Sequence, residues 1–294
     1  VSLLGLISLD STAAQQFLAA TSAFKALTTR PSNGFRHWNT PPTLRVGYVS
    51  SDFREHPVSY LMAEVFELHD RSRIEVYAYS TFGKGDRGPT RARIQHAAHH
   101  FVDLEDLSLI AAAQRIHDDA IDVLVDLGGH TQHARTGIFA LRPAPVQVNF
   151  LGYPGTMGAP FIDYIITDRF VTPLDAAPHF SEKFVYMPHC FQPNDRQKAI
   201  ADVPSRKDCG LPEHGFVFCS FNKSYKFTPR VFAVWMRLLT AVPGSVLWLS
   251  DGSRTMMDNL RREAQQRGVN PDRRSEEHTS ELQSPCNLVC RLLL

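Results

Sequence analysis

The chain has 294 residues, 43% of them hydrophobic, which is enough for one large or two ordinary globular domains with an apolar core. Its 31 lysines and arginines nearly balance 30 aspartates and glutamates, so the net charge predicts neither a nucleic-acid nor an anionic-membrane partner. Because no apolar run is long enough to span a bilayer and no basic segment precedes the apolar N-terminus, we expect a cytoplasmic protein.

The N-terminal part reads as one helix followed by a linker. Apolar residues recur on one helical face over residues 10–27, which predicts an amphipathic helix. Residues 30–43 are rich in proline and polar side chains, as is typical of a linker. We therefore expect residues 1–43 to precede the first lobe, and the start at Val1 suggests further sequence upstream.

Strands and helices then alternate through a first lobe, residues 44–205. Strands are predicted at 44–50, 74–80, 101–104, 121–127, 146–151 and 164–167, with an edge strand at 182–188. Helices are predicted at 58–69, 90–98, 107–118 and 136–141. Apolar strands buried on both faces, alternating with helices, favour an α/β fold with a parallel, doubly wound sheet.

A second lobe is expected over residues 206–273, after a polar stretch with three prolines that is predicted to connect the lobes. Strands are predicted at 216–221 and 245–250, and helices at 229–241 and 255–267. Two βα units are too few for an independent core. We therefore expect the second lobe to be incomplete.

The last segment, residues 274–294, has no periodicity. In one reading frame, codons for residues 274–284 and 288–294 fit the two constant arms of a common sequencing adapter, with its variable index between them. We therefore expect a non-native tail. Genomic sequence that continues in frame through this segment would contradict that interpretation.

Loops rich in glycines, hydroxyls, histidines or lysines follow five of the predicted strands. Ligands of open parallel sheets bind at the carboxyl ends of the strands, so these loops are the candidate site. The loops are residues 50–56, 128–131, 152–156, 222–226 and 251–253. No lysine follows GYPGTMG (152–158) as a Walker loop requires, and this run can be only a tight turn. No G-x-G-x-x-G opens a helix either, so nucleotide triphosphate hydrolysis and dinucleotide-dependent redox chemistry are disfavoured.

Individual residues in these loops have more than one interpretation. Lys223 and Lys226 precede a helix expected near Thr228, where a cation can stabilise a departing phosphate, although a solvated loop lysine is the common alternative. His56 can serve as a general base or as a hydrogen-bond donor to a phosphate. Asp126, at the end of a buried strand, caps the following loop as readily as it acts on substrate.

Two groups of histidines have spacings that could hold a metal ion. They are His96, His99 and His100, and His130 with His133. Solvated surface histidines are the more common outcome of such spacings, and we expect no metal site.

Six stretches together resemble the O-GlcNAc transferase and SPINDLY family. They are LRVGYVSSDFREHPVSYLM (44–62), IDVLVDLGGHT (121–131), ALRPAPVQVNFLGYPGTMGAPFIDYIITD (140–168), SEKFVYMPHCF (181–191), FVFCSFNKSYKFTPRVFAVW (216–235) and VPGSVLWL (242–249). The resemblance covers nearly all of residues 44–268, and the run through ALRPAPVQ and LGYPGT is highly specific.

The resemblance implies a GT-B architecture of two Rossmann-like lobes, with the second lobe incomplete here, and a nucleotide sugar bound in the cleft. It implies inverting, metal-independent transfer of N-acetylglucosamine from UDP-GlcNAc to serine or threonine of a protein or peptide acceptor, with no cofactor. Tetratricopeptide repeats commonly lie upstream, so the N-terminal helix is expected to be their remnant. Because other donor-binding residues would lie beyond the family-like sequence, the fragment itself is expected to be inactive.

The resemblance also assigns site residues. Lys226 matches the lysine that stabilises the departing diphosphate, and His56 matches a histidine once assigned as the catalytic base, a role still argued over. The positions expected to bind donor or substrate are Gly129, His130, Thr131, Gly152, Tyr153, Pro154, Gly155, Thr156, Asn222, Lys223 and Tyr225. Lys223 stands where the family often has glutamine.

The identity of the donor stays open between two branches of the family. His130 and Tyr60 resemble the SPINDLY branch, whose plant members use GDP-fucose, as much as the GlcNAc branch. A protein O-fucosyltransferase, another hexosyltransferase and a non-catalytic binding module are therefore the alternatives.

Overall fold

The computed structural model describes residues 2–7, 9, 11–25, 43–198, 202–250 and 252–277. The chain divides into two compact units, the first containing residues 1–7 and 11–198 and the second containing residues 8–10 and those from 199 onward. This division falls before the lobe boundary predicted after residue 205. The predicted linker lies outside the described residues except for Thr43.

The first unit is built on a seven-stranded, entirely parallel sheet. Its strands are β1 (Leu44–Ser50), β2 (Ile74–Ser80), β3 (His100–Asp103), β4 (Val123–Asp126), β5 (Val146–Phe150), β6 (Tyr164–Thr167) and β7 (Lys183–Tyr186). The strand order β3-β2-β1-β4-β5-β6-β7 reverses direction between β1 and β4, which confirms the doubly wound sheet predicted from the sequence. It also confirms that the last strand is an edge strand.

Six α-helices are described in the first unit: α1 (Leu3–Leu6), α2 (Ala13–Lys25), α3 (Pro57–Leu68), α4 (Pro89–Ala97), α5 (Leu109–Asp118) and α6 (Gly137–Ala140). Prolines begin α3 and α4, where a missing N–H costs nothing. The Ser108 side chain accepts from Ala111 N at 3.1 Å, so α5 begins at Leu109 rather than at residue 107. No described helix is long and apolar enough to cross a membrane.

The sheet of the first unit has an apolar core on each face. One cluster includes Tyr79, Leu124 and Phe139, and the other includes Met62 and Phe66 of α3. All five side chains are at most 1% exposed. Helices cover both faces of the sheet, as a parallel sheet with apolar strands requires.

Helix α2 packs directly on this unit and is not a separate segment. Ala20 is fully buried, and the ring of Phe24 meets that of Phe161 edge-on with centroids 5.3 Å apart. A Cβ on Gly158, whose φ is +63°, would lie 2.5 Å from Thr21 N. The predicted N-terminal helix thus precedes the first lobe in sequence and packs on it in the structure, and its origin as a remnant of upstream repeats stays a prediction.

The first residues of the predicted interlobe connection also belong to the first unit. Arg93 bonds Glu67 at 2.7 Å and pairs with the carboxylate of Asp195, while Arg196 pairs with Glu64 at 2.7 Å. Glu67 and Glu64 lie on α3, and Arg93 lies on α4. These ion pairs fix the chain to the two helices, which is why the division falls later than the start of the polar stretch.

The second unit contains a three-stranded parallel sheet in the order β10-β9-β8. Its elements are β8 (Val217–Ser220), α7 (Pro229–Ala241), β9 (Val246–Ser250), α8 (Arg254–Gln266) and β10 (Arg274–Glu277). Phe232, Met236 and Leu239 of α7 pack on Leu247 and Leu249 of β9 to form its core. The two predicted βα units are confirmed.

Strand β10 was not predicted from the sequence. Its four residues are the first of the segment 274–294, which was expected to have no regular structure. It pairs in parallel with β9, with Arg274 opposite Leu247. Strand pairing uses backbone groups, and β9 has an open edge that the chain reaches after α8. The non-native origin of residues 274–294 stays a prediction, and residues 278–294 lie outside the described part.

Candidate active site

The carboxyl ends of β1, β4 and β5 bring three of the predicted loops together. These strands are neighbours in the sheet, and the reversal of strand order lies between β1 and β4. Ser51 Oγ donates to Gln132 O at 3.4 Å, and His130 Nε2 lies 3.1 Å from Met157 O. The loops after the three strands therefore form one connected surface at the position where open α/β sheets bind ligands.

His56 is the N-cap of α3, and this contact fixes its protonation pattern. Its Nδ1 accepts from Val58 N at 3.3 Å, which satisfies one free N–H of the helix. An accepting Nδ1 carries no proton, so the neutral ring carries its proton on Nε2. In this tautomer Nε2 is a hydrogen-bond donor and not a base, which favours the donor role among the two interpretations of His56.

The surroundings of His56 keep the ring neutral. Burial lowers its pKa below the ordinary value; the Asp52 carboxylate, whose Oδ2 lies 3.6 Å from Nδ1, opposes this shift, and Arg54 adds to it. The His56 side chain remains 33% exposed, so it can still reach a ligand.

The loop after β4 is shaped by Asp126. Its Oδ1 accepts from Gly128 N at 2.8 Å and from Gly129 N at 2.9 Å. Gly129 has φ +59°, and a Cβ there would lie 2.6 Å from the Tyr153 Cβ, so glycine is required twice over. Thr131 Oγ1 donates to Gly128 O at 2.8 Å and closes the turn. Asp126 thus caps the loop, the first of its two sequence interpretations.

The loop after β5 lies against the loop after β4. A Cβ on Gly152 would be 2.0 Å from Leu127 O, so the two backbones touch. Asn149 Nδ2 donates to Tyr153 O and Gly155 O, both at 3.1 Å, and so holds the loop to strand β5.

Glu182, in front of β7, holds the far end of the same loop. It accepts from Thr156 Oγ1 at 2.8 Å and from Met157 N at 2.6 Å. Glu182 is 5% exposed, and burial raises the pKa of its carboxyl above the ordinary value.

Several of the residues predicted to bind a ligand are buried, or half-buried, and contact other groups of the protein. Tyr153 is 1% exposed and Thr156 3%, so both residues are buried, main chain included, and they shape the loop from inside. Pro154 is exposed and His130 is half-buried. The His130 ring meets the Tyr153 ring edge-on at 5.1 Å. Because Nε2 faces a carbonyl it carries the proton, and Nδ1 of the neutral ring is an acceptor.

The predicted site residues of the second unit lie in the turn between β8 and α7. Lys223 and Lys226 are exposed, and Lys226 N donates to Lys223 O at 3.0 Å. Thr228 caps α7 by accepting from Val231 N at 3.2 Å, which confirms the predicted helix start. Asn222 O accepts from Ser250 Oγ at 3.3 Å. The side chain of Tyr225 lies outside the described part.

The sequence of the chain matches the profile of glycosyl transferase family 41 over residues 28–203 and 196–275. The chain belongs to glycosyl transferase family 41. The resemblance of the six stretches is thereby confirmed.

Named relatives of family 41 agree with this assignment. The chain is 45% identical over 235 residues to a probable UDP-N-acetylglucosamine–peptide N-acetylglucosaminyltransferase, SEC, of Arabidopsis thaliana, covering 78% of this chain and 24% of that protein. It is 37% identical over 210 residues to the probable UDP-N-acetylglucosamine–peptide N-acetylglucosaminyltransferase SPINDLY of the same plant, covering 69% of this chain and 22% of that protein.

The solved structure of an O-GlcNAc transferase has the same fold. A variant of the Thermobaculum terrenum O-GlcNAc transferase superposes with a TM-score of 0.80 at 27% identity, over 91% of this chain and 51% of that one. The α/β, GT-B fold with two Rossmann-like lobes is therefore confirmed. The chain spans about a quarter of the length of the plant relatives and half of the bacterial structure.

Two residues that support the site, Asn149 and Glu182, were not among the site residues predicted from the sequence. Each is a buried polar residue beside a strand, at 0% and 5% exposure. Asn149 could have been noticed as a polar side chain within an apolar run. No local sequence pattern marks Glu182, because its hydrogen-bond partners lie 25 and 26 residues away in the sequence.

The histidines with metal-like spacing have other partners. His99 Nδ1 accepts from Val76 N at 3.0 Å, His100 Nε2 lies 2.8 Å from Glu75, and the His133 ring stacks on Phe82 at 4.4 Å. Among the residues that the structure covers, no three histidines, cysteines or acids are grouped as metal ligands.

Proposed function

We propose that this protein transfers N-acetylglucosamine from UDP-GlcNAc to serine or threonine hydroxyls of proteins, without a metal and with inversion. Family 41 membership and the activity for which the plant relatives are named support this donor and acceptor class. Because the chain spans about a quarter of the SEC relative, the activity is proposed for the full-length protein, and the 294-residue chain alone is expected to be inactive.

In the proposed reaction the acceptor hydroxyl oxygen forms a bond to the anomeric carbon of the sugar. The bond from that carbon to the diphosphate oxygen breaks, and UDP leaves with the electron pair. The hydroxyl proton passes to a base or to solvent. A single displacement of this kind inverts the anomeric centre.

The observation that carries the proposal is Lys226, an exposed lysine two residues before the cap of α7 in a family 41 chain. Negative charge develops on the leaving diphosphate, and a fixed cation beside the positive end of a helix stabilises it. That arrangement supplies by protein groups what a metal ion would otherwise supply.

The first unit offers complementary groups to a sugar nucleotide. His56 presents an N–H donor suited to a phosphate or sugar oxygen, and His130 presents an acceptor suited to a hydroxyl. In the loop 152–156 only Pro154 is exposed and Gly152 is half-buried, so we propose these two residues as the part of the loop that faces the transferred sugar.

The test is turnover of the full-length protein with UDP-GlcNAc and, separately, GDP-fucose, each with a peptide acceptor. We expect Lys226→Ala to lower kcat by about 100- to 1,000-fold with donor binding retained. The control is Lys207→Ala, which removes another exposed lysine of the second unit and should leave turnover unchanged.

The possible outcomes separate the alternatives. Turnover with GDP-fucose alone would replace GlcNAc transfer by fucosyl transfer. Donor binding without turnover would leave a binding module. Unchanged turnover in Lys226→Ala would remove the main support for the leaving-group role.

A further inference from the structure

Two polar side chains lie side by side in the middle of the first unit's sheet. Asp126 of β4 and Asn149 of β5 are register partners on adjacent parallel strands, and they are 4% and 0% exposed. Register partners of a parallel pair project from the same face. That face carries the cluster of Leu124, Tyr153 and Met157, since Leu124 lies two residues before Asp126.

Each of the two side chains holds one loop of the candidate site. Asp126 holds the loop after β4 through the N–H groups of Gly128 and Gly129. Asn149 holds the loop after β5 through the carbonyls of Tyr153 and Gly155.

The orientation of the Asn149 amide is determined by its contacts. Its nitrogen faces two carbonyl oxygens, and a rotated amide would place its own oxygen against both. The Asn149 Oδ1 is therefore an acceptor that still needs a donor.

Both remaining oxygen atoms are buried without a partner. Asp126 Oδ2 and Asn149 Oδ1 have no hydrogen bond to any described residue. Both residues border Gly129, whose N–H reaches Asp126 Oδ1 and whose added Cβ would lie 3.4 Å from Asn149 Oδ1. Two neighbouring acceptors without a donor are satisfied together by one added proton.

We propose that Asp126 is a neutral carboxylic acid whose Oδ2–H donates to Asn149 Oδ1, and that this hydrogen bond joins the two loops of the candidate site. Asp126 is then a positioning residue, since at 4% exposure it does not reach a ligand. The role of this pair in turnover rests on the proposed transferase function, whereas the protonation state does not.

The surroundings of the pair support the neutral acid. Burial raises the pKa of the Asp126 carboxyl, although the N–H groups of Gly128 and Gly129 oppose that shift. No cationic side chain is among the causes of the shift. A water molecule donating to the same two oxygens would leave a bare carboxylate in the core and its own oxygen without a donor.

The experiment is infrared difference spectroscopy on the 294-residue chain at neutral pH. We expect the C=O stretch of a protonated carboxylic acid in the wild type, lost in Asp126→Asn. The control is Asp122→Asn, a buried acid ahead of β4 whose Oδ2 accepts from Arg45 N, and the band should persist there. A wild type without this band has an ionised Asp126, which overturns the proposal.

A second readout applies to the full-length transferase. Asp126→Asn can still accept from the glycines and donate to Asn149, so kcat should stay within about threefold of wild type, while Asp126→Ala should lose about 10- to 100-fold. Equal losses in both variants would overturn the positioning role. If Asp126→Asn does not fold, the band is followed in Glu182→Gln, which lacks the other buried carboxyl of raised pKa. A band that is unchanged there between about pH 5 and pH 8 gives the same information, and a band that is absent or disappears overturns the proposal. Absence of any transferase activity leaves the infrared result intact, so the two proposals fail separately.

Discussion

The contact between Gly152 and the end of β4 allows a sharp test of the site's construction. In Gly152→Ala the new Cβ would lie 2.0 Å from Leu127 O, whereas ordinary contact begins at 3.4 Å. One of the two backbones must therefore move by about 1.4 Å. Neither can yield by rotating a side chain, because both partners are main chain.

The cost follows from the kind of atom that is displaced. Overpacking in a core costs about 1–3 kcal/mol, and a backbone clash belongs at the upper end of that range. About 3 kcal/mol corresponds to a fall in melting temperature of roughly 6–12 °C for a unit of this size. A loop displaced by about 1 Å also costs about 100-fold in turnover.

The assay is thermal unfolding by circular dichroism together with hydrogen exchange. Peptides from β4 and β5 should lose protection, while those from β9 in the second unit should not. The control is Gly85→Ala, where an added Cβ meets nothing within 4 Å, so stability should be unchanged or rise by about 0.4–1 kcal/mol. If Gly152→Ala has the same melting temperature as Gly85→Ala, the two loops do not approach each other as closely as the structure shows.

Two further pairs of variants separate structural from chemical roles. His56→Asn keeps a capping acceptor for Val58 N but lacks the ring with its Nε2–H donor, so stability should hold while turnover falls by about 100-fold. His56→Ala should also lose about 1 kcal/mol of stability. Wild-type turnover in His56→Asn would exclude a role for the ring. Glu182→Gln keeps an acceptor for Met157 N, and Glu182→Ala does not, so only the alanine should loosen the loop at Thr156 and lower turnover. Because burial raises the folded-state pKa of Glu182, its carboxyl stabilises the fold fully below its ordinary pKa near 4.5 and loses that contribution as pH rises through the folded value. The melting temperature of Glu182→Gln relative to wild type should therefore increase over that pH interval, and a flat difference would contradict the raised pKa.

Local sequence patterns predicted those elements whose limits are set locally. The bounds of β1, β2 and β6 were correct because apolar runs end there at turn residues. The start of α5 was missed by two residues because Ser108 caps it, and β10 was missed because pairing at an open edge requires no side-chain pattern.

The candidate site was predictable only where its residues are conspicuous in the sequence. Glycines and His56 after strand ends stand out, and the structure brings their loops together. The burial of Tyr153 and Thr156, and the support from Asn149 and Glu182, depend on contacts between strands that no local window contains. Of these supporting residues, the sequence alone can indicate those that are polar within an apolar run, such as Asn149.

The packing of α2 on Gly158 bears on where the chain can be cut. A shortened protein beginning at Thr43 would look reasonable from the sequence, because a linker precedes it. It would lack Ala20 and Phe24, and so expose the ring of Phe161 and the turn that follows Thr156. Helix α2 covers the loop at residues 152–158 on its outer side, so we expect a fragment that preserves this loop to include α2.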